Sequence, residues 1–250
     1  MTQKQATPDA LSALEKRTIS GLSVIFALRM LGLFMILPVF SLSAQQYSHS
    51  TPILIGLAIG AYGLTQALLQ IPFGMLSDRI GRKKVIYLGL ILFAMGSLLA
   101  AMADSIYTVI IGRLLQGSGA IAAVVMALTA DLTRDQHRTK AMAAIGISIG
   151  LSFSVALASG AALESWIGLD GIFWATALMA IFGMFVLHWW VPTPYKHKKH
   201  QDMKPARAQI GEVFANTSIM RLVASILILH LLLTLSFFAL PIALQDFRSE

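Results

Sequence analysis

Seven stretches of roughly twenty residues each, nearly free of charge, recur along the chain: Gly21–Leu42, Ile53–Met75, Val85–Ala103, Ile106–Ala130, Ala141–Leu163, Ile172–Val191 and Ile219–Leu240. At ~1.5 Å of rise per residue, ~20 apolar residues in a helix cross the ~30 Å hydrocarbon core of a bilayer. Inside that core every backbone N–H and C=O must be satisfied within its own segment, which selects helices. The stretches are too apolar to be wrapped by a polar surface, because only 12% of residues are charged against ~25% in soluble domains. The fold class is therefore an all-α polytopic membrane protein. Expected boundaries are a tail over 1–20, a six-helix bundle over 21–191, a basic linker over 192–218, a seventh span over 219–240 and an outer tail over 241–250. The first apolar run is too long for the 7–15-residue core of a cleavable signal peptide, so it is read as a retained helix.

The basic residues set the orientation. Lys4, Lys16 and Arg17 precede the first span. Arg79, Arg82, Lys83 and Lys84 follow the second, and Arg134, Arg138 and Lys140 follow the fourth. Lys196, Lys198, Lys199, Lys204, Arg207 and Arg221 lie between the sixth and seventh. The alternate loops hold none, and Arg248 stands alone beyond the seventh span. Cytoplasmic loops collect Lys and Arg, so the reading is N-terminus in, with seven crossings. The net charge of +7 is then a topological signal, and nucleic acid is excluded as a partner; the lipid bilayer is the implied one. With no cysteine, disulfides, thiolate metal sites and thiol catalysis are excluded. No hydrolase, metalloprotease or nucleotide-loop pattern occurs, so neither an enzyme nor a bound cofactor or metal is expected. Gly117-Ser-Gly119 sits inside an apolar span with no strand before it and is not a dinucleotide loop.

Charge at mid-bilayer is costly and marks candidate function. Arg29 and Arg113 lie inside the first and fourth spans, in related settings, Arg29-Met-Leu-Gly32 and Arg113-Leu-Leu-Gln116-Gly117. Equivalent positions in spans one and four are what a 3+3 inverted repeat would produce. Tyr62, Gln66 and Gln70 form a polar stripe at four-residue spacing on the second span. Arg29, Tyr62, Gln66, Arg113 and Gln116 are the candidate cavity residues. Arg29 reads either as facing water or as a strut bonded between helices. All twelve acids fall outside mid-depth, so the two cations call for an anionic partner. His188 and His230 are further titratable groups, with packing or an interhelical bond the expected role for His230. Gly146, Gly150 and Ser154 form a small-residue stripe that predicts close helix contact, and Pro38 predicts a kink in the first span. The run Lys196–His200 reads as a solvated linker at lipid headgroups, and 208–214 as a short interfacial helix.

The segment Gly74-Met-Leu76-Ser-Asp78-Arg79-Ile-Gly81-Arg82-Lys83-Lys84 closely resembles the loop signature of the major facilitator superfamily. Ile111-Gly112-Arg113-Leu-Leu-Gln116-Gly117-Ser-Gly119 resembles a second element of that family, and Arg29-Met-Leu-Gly32 with Leu37-Pro38-Val39 resembles the first helix of its drug/proton antiporter branch. The resemblance covers effectively the whole chain. It implies a latch that holds the transporter outward-open, assigned to Gly74, Asp78, Arg79, Gly81, Arg82 and Asp131. Physically, Gly74 allows a close helix, Asp78 can face a helix N-terminus, and Arg82 can pair with Asp78 or Asp131. The branch carries Gly-Pro in its fifth helix, where this chain has Gly160-Ala161. The family has two six-helix halves, so one half plus a seventh helix is expected here, with the C-terminal helices that complete the fold missing.

The resemblance implies a secondary transporter of small-molecule organic substrates in the bacterial inner membrane. It would run as proton-linked efflux by alternating access, with the proton gradient as energy source. Two other classes are a non-transporting seven-helix receptor or scaffold, which the N-in orientation opposes, and a channel, for which no charge ring or filter loop is present.

Overall fold

The computed structural model describes residues 10–193 and 215–249. The basic run Lys196–His200 and the expected interfacial segment 208–214 lie outside the described residues. The chain divides into two units, residues 1–195 and 196–250.

In the first unit, α1 spans Ala13–Ser43 and α2 spans Pro52–Ile80. They are followed by α3 (Arg82–Ala101), α4 (Ile106–Ser118), α5 (Ala122–Leu132) and α6 (Arg138–Trp189). Helix α1 begins before the expected Gly21, within the residues assigned to the tail. Ser12 and Glu15 cap each other's backbone N–H across the first turn, which carries the helix through Thr18 and Ile19. The fourth span is not one helix: Gly119 separates α4 from α5, with the Ile121 N–H bonded back to the Gly119 carbonyl at 2.9 Å. The cause is a close crossing. A Cβ on Gly89 would lie 2.1 Å from Ile121, and one on Gly119 would lie 2.3 Å from the Gly89 oxygen. Spans five and six are the two arms of α6, which meet at a reversal on Gly168 (φ 68°, ψ 177°) in place of the loop expected over 164–171. That backbone conformation is open mainly to glycine.

Contacts along α1 show the reversal. Ser152 donates to the Ala27 carbonyl and Gly160 abuts Met35, so the first arm of α6 runs parallel to α1. Thr176 donates to Gly32 and Val191 meets Gly21, so the second arm runs antiparallel. Helix α2 runs parallel to α4, with Ala58 against Arg113 and Tyr62 against Gly117. Helix α3 is antiparallel to α4, with Gly96 against Gly112 and Gln116. This alternation of direction is that of six crossings. Small residues permit the approach of backbones, as in other membrane bundles.

One end of the unit gathers Ser43 bonded to Glu164 (2.8 Å), Tyr47 to Asp170 (2.5 Å) and Ser48 to Asp104 and Ile106. The described loops there contain no Lys or Arg. The other end gathers the described basic loop residues. The expected contact at Gly146 and Gly150 is not made by any described residue: none lies within 4 Å of a Cβ at either, and the close approach falls at Gly160.

In the second unit, α7 spans Thr217–Ser249. It begins two residues before the expected seventh span and continues as helix through nearly all of the stretch assigned to an outer tail. His230 Nδ1 lies 2.9 Å from the Ile226 carbonyl, a bond within its own helix rather than between helices.

Candidate functional site

Gly81 ends α2 and starts α3 at φ 104° and ψ 140°, so the chain turns between two helices in one residue. That conformation strains any residue with a Cβ. The turn puts Arg82 at the first position of α3, where the helix dipole disfavours a cation unless carboxylates surround it. Two do. Arg82 Nη2 lies 2.6 Å from Asp78 Oδ1, and Nε donates to Asp131 Oδ2 at 3.2 Å. Nη1 donates to Ser77 Oγ at 2.6 Å, and that hydroxyl donates to the Gly74 carbonyl at 2.6 Å. One guanidinium thereby ties the end of α2, the start of α3 and the end of α5. The carboxylates are 41% and 37% exposed, so the network holds a geometry that water can compete for.

Two residues assigned to the latch stand apart from it. Arg79 is exposed and makes no ion pair or hydrogen bond among the described residues. Gly74 contributes a carbonyl, but no described residue occupies the space a Cβ there would fill. The close helix predicted for it is therefore absent from the first unit.

The cavity candidates form one buried network across α1, α2, α3 and α4. Arg113, 1% exposed, donates to the Ala58 carbonyl (3.4 Å) and to Gln116 Oε1 (3.0 Å), and packs 4.8 Å from the centroid of the Tyr62 ring. Gln116 Nε2 donates to Ser97 Oγ at 2.7 Å, and Ser97 donates to the Phe93 carbonyl at 2.7 Å. Arg29, also 1% exposed, donates through Nη2 to Gln66 Oε1 (3.2 Å) and lies 5.5 Å from the Phe93 ring centroid. Of the two readings of Arg29, the water-facing one does not hold in this conformation. As a strut it is incomplete, because Nε and Nη1 have no hydrogen-bond partner among the described residues, nor do the Tyr62 hydroxyl and Gln70 Oε1. Buried donors left this way cost ~1–3 kcal/mol each, so the polar demand around Arg29 is unmet while that of Arg113 is largely met.

A third cluster escaped sequence reasoning. Glu15, 2% exposed, accepts from the backbone N–H of Ser12 (2.8 Å) and of Arg134 (2.9 Å). It also accepts from Arg134 Nε (3.0 Å) and Nη2 (2.9 Å), and lies 3.2 Å from His137 Nδ1. The carboxylate holds the Arg134 guanidinium above its ordinary pKa. This clamp fastens the start of α1 to the turn before α6. The Ser12-x-x-Glu15 pattern was a readable signal for the helix start, but nothing local marked Arg134 and His137 as its partners. No group of three or more His, Asp or Glu among the described residues could hold a metal ion.

The family model of the Major Facilitator Superfamily matches residues 22–249. The chain is 48% identical over 232 residues to the inner membrane transport protein YajR of Escherichia coli K12, covering 93% of this chain and 51% of that protein. It is 32% identical over 171 residues to the class B tetracycline resistance protein of Escherichia coli, covering 67% of this chain and 42% of that one. Among solved structures, the human organic anion transporter MFSD10 superposes with a TM-score of 0.67 at 21% identity, over 75% of this chain and 50% of that one. The chain spans about half the length of YajR and 60% of a relative from Buchnera aphidicola. A glycine-hinged Arg82 between two carboxylates, six alternating crossings and the family match over nearly the whole chain converge: this chain belongs to the Major Facilitator Superfamily.

Proposed function

We propose that the chain is one bundle and the following helix of a secondary transporter that exports small organic compounds by alternating access, driven by the proton gradient. The proposed setting is the bacterial inner membrane, with the N-terminus and the basic end cytoplasmic. The observation that carries this reading is the Arg82 bridge to Asp78 and Asp131. It is a charge network at one membrane face, exposed enough to break and re-form, and hinged on a glycine. Gly60, Gly63 and Gly74 on α2 and Gly146 and Gly150 on α6 have open space at Cβ. In this account that open face receives the second half that longer relatives carry.

The Arg29–Gln66 and Arg113–Gln116 network is the proposed floor of the substrate path. The idle donors of Arg29 and the Tyr62 hydroxyl are the groups that substrate or water engages when the halves rock. The names of the relatives, a tetracycline resistance protein among them, agree with export of organic compounds.

The test uses the gene's complete reading frame. This chain has no cysteine, and with any cysteine encoded outside it replaced by serine, one placed at Gln70 reports alone. Asp78→Arg removes one carboxylate and repels Arg82, and faster maleimide labelling of Gln70→Cys from the basic side, with loss of proton-driven efflux in everted vesicles, is expected. Unchanged labelling would contradict the latch, and efflux insensitive to collapse of the proton gradient would contradict the coupling.

A further inference from the structure

The second arm of α6 ends at the basic face in an aromatic ridge. Phe185 and Trp189 stack with centroids 5.3 Å apart and planes 11° from parallel. A groove of about 680 Å³ runs on one side of the ridge, between it and Ser20, Gly21 and Val24 of α1, with an entirely apolar exposed lining. A second, of about 340 Å³, runs on the other side, between the same Phe185 and Trp189 and Tyr87 of α3. The first reaches from Trp190 down to Phe182. The eight steps from one to the other make about 12 Å at ~1.5 Å each, most of the ~15 Å depth of one leaflet.

Each side has a cation at its mouth. Arg17 on α1 donates to the Trp189 carbonyl and lies 5.8 Å from the Trp190 ring centroid. Lys83 on α3 donates to the Val191 carbonyl at 2.8 Å and to Thr193 at 3.4 Å. The two cations bond carbonyls two residues apart at the end of α6, those of Trp189 and Val191, and neither pairs with a carboxylate among the described residues. A helix C-terminus carries about half a negative charge, so it leaves roughly 1.5 units of the positive charge uncompensated. Carbonyl oxygens occupy part of the donors and leave the rest of the guanidinium and ammonium free.

We propose that this end of α6 is a binding site for one anionic two-chain phospholipid, its phosphate held between Arg17 and Lys83 and its acyl chains lying in the two grooves astride the Phe185–Trp189 ridge. One ridge between an apolar groove and a second, mostly apolar one, where His188 meets the Tyr87 hydroxyl, matches two chains, and a paired, carboxylate-free cation site matches a phosphodiester. Trp190 Nε1, bonded to Ser20 Oγ at 2.9 Å, fixes the ring at the level of the headgroup, where indoles favour the membrane interface. The site stands whether or not the chain transports anything.

The ridge supplies its own reporter. With Trp166→Phe and Trp174→Phe, the remaining tryptophans are Trp189 and Trp190. The chain is reconstituted in phosphatidylcholine, and acyl-brominated phosphatidylglycerol is titrated against acyl-brominated phosphatidylcholine. The anionic lipid should reach half-quenching at a mole fraction about five-fold or more lower, the scale of one basic residue at an anionic surface. Arg17→Gln with Lys83→Gln should bring the two curves together, while Lys84→Gln, one residue along, should leave the preference intact. Added inorganic phosphate should not relieve the quenching, because the chains hold the lipid. Coincident curves in the parent would overturn the proposal, and this comparison decides even if the double variant fails to fold. A preference that survives the loss of both cations, or displacement by free phosphate, would overturn it equally.

Discussion

The Glu15 clamp gives the sharpest prediction about stability. Glu15→Gln keeps the shape of the side chain and exchanges one acceptor oxygen for an amide donor, placed against donors on Arg134 and Ser12. Hydrogen bonds to a charged group contribute ~1.5–3 kcal/mol each, and at least two are lost. Arg134, with a side chain 49% exposed, rehydrates and recovers part of that. The buried Glu15 side has no such recourse. The net expectation is about 3 kcal/mol, which for a domain of this size corresponds to a fall of about 6–12 °C in Tm. Intrinsic tryptophan fluorescence of the detergent-solubilised protein reads the transition. A double-mutant cycle with Arg134→Gln should show that the two single effects do not add. A Glu15→Gln protein melting within a degree of the parent, or single effects that simply add, would refute the clamp.

Three further outcomes follow from the packing and the buried charges. Gly96→Ala should destabilise by about 2–3 kcal/mol or more, because its Cβ would lie 2.4 Å from the Gln116 nitrogen and 2.5 Å from the Gly112 oxygen; Gly146→Ala, with open space, should leave Tm of this chain unchanged, and equal effects would contradict the α3–α4 crossing. Arg113→Met should cost about 3–5 kcal/mol by orphaning Gln116, whereas Arg29→Met, which removes two idle buried donors, should be neutral or stabilising; the reverse order in thermal melts would show that the network is misassigned. Burial, and then the bond to Asp170, raise the Tyr47 phenol above its ordinary value. The unfolded chain therefore ionises first, and stability present below about pH 10 is lost as pH rises beyond it; Tyr47→Phe should flatten that alkaline loss in a pH series of melts, and an unchanged slope would argue against it.

Much of this architecture could be read from the residues, because bilayer physics acts on composition and on basic loops. The turn at Gly81 and the pairing of Arg82 with Asp78 follow from spacing along one segment, and the bond to Asp131 from the shared membrane face. What stayed hidden depends on contacts between helices. The break at Gly119 exists because Gly89 crosses there, and no local pattern in Gly117-Ser-Gly119 distinguishes a crossing from a flexible helix. The reversal at Gly168 is a single positive φ between two apolar arms, where eight residues read as a loop. Gly146 and Gly150 predicted contact and meet none among the described residues, since a stripe of small residues shows that a helix can be approached but not which helix does so. Arg29 and Arg113 stand out in the sequence as charges inside spans, yet their unequal satisfaction depends on neighbouring helices: the Ala58 carbonyl of α2 reaches Arg113, and Ser97 of α3 holds the Gln116 that Arg113 bonds on its own helix.

The most direct test of the account is the side of the membrane on which the charge network lies. Single cysteines at Arg79 and Lys140 on the basic end, and at Ser50 and Trp166 on the other, would be labelled in intact cells with a membrane-impermeant maleimide. Reaction at 50 and 166 in intact cells, with 79 and 140 reacting only after permeabilisation, is the expected result. Labelling of 79 and 140 on opposite sides would break the common face on which the Arg82 network, the orientation and the transport reading all depend.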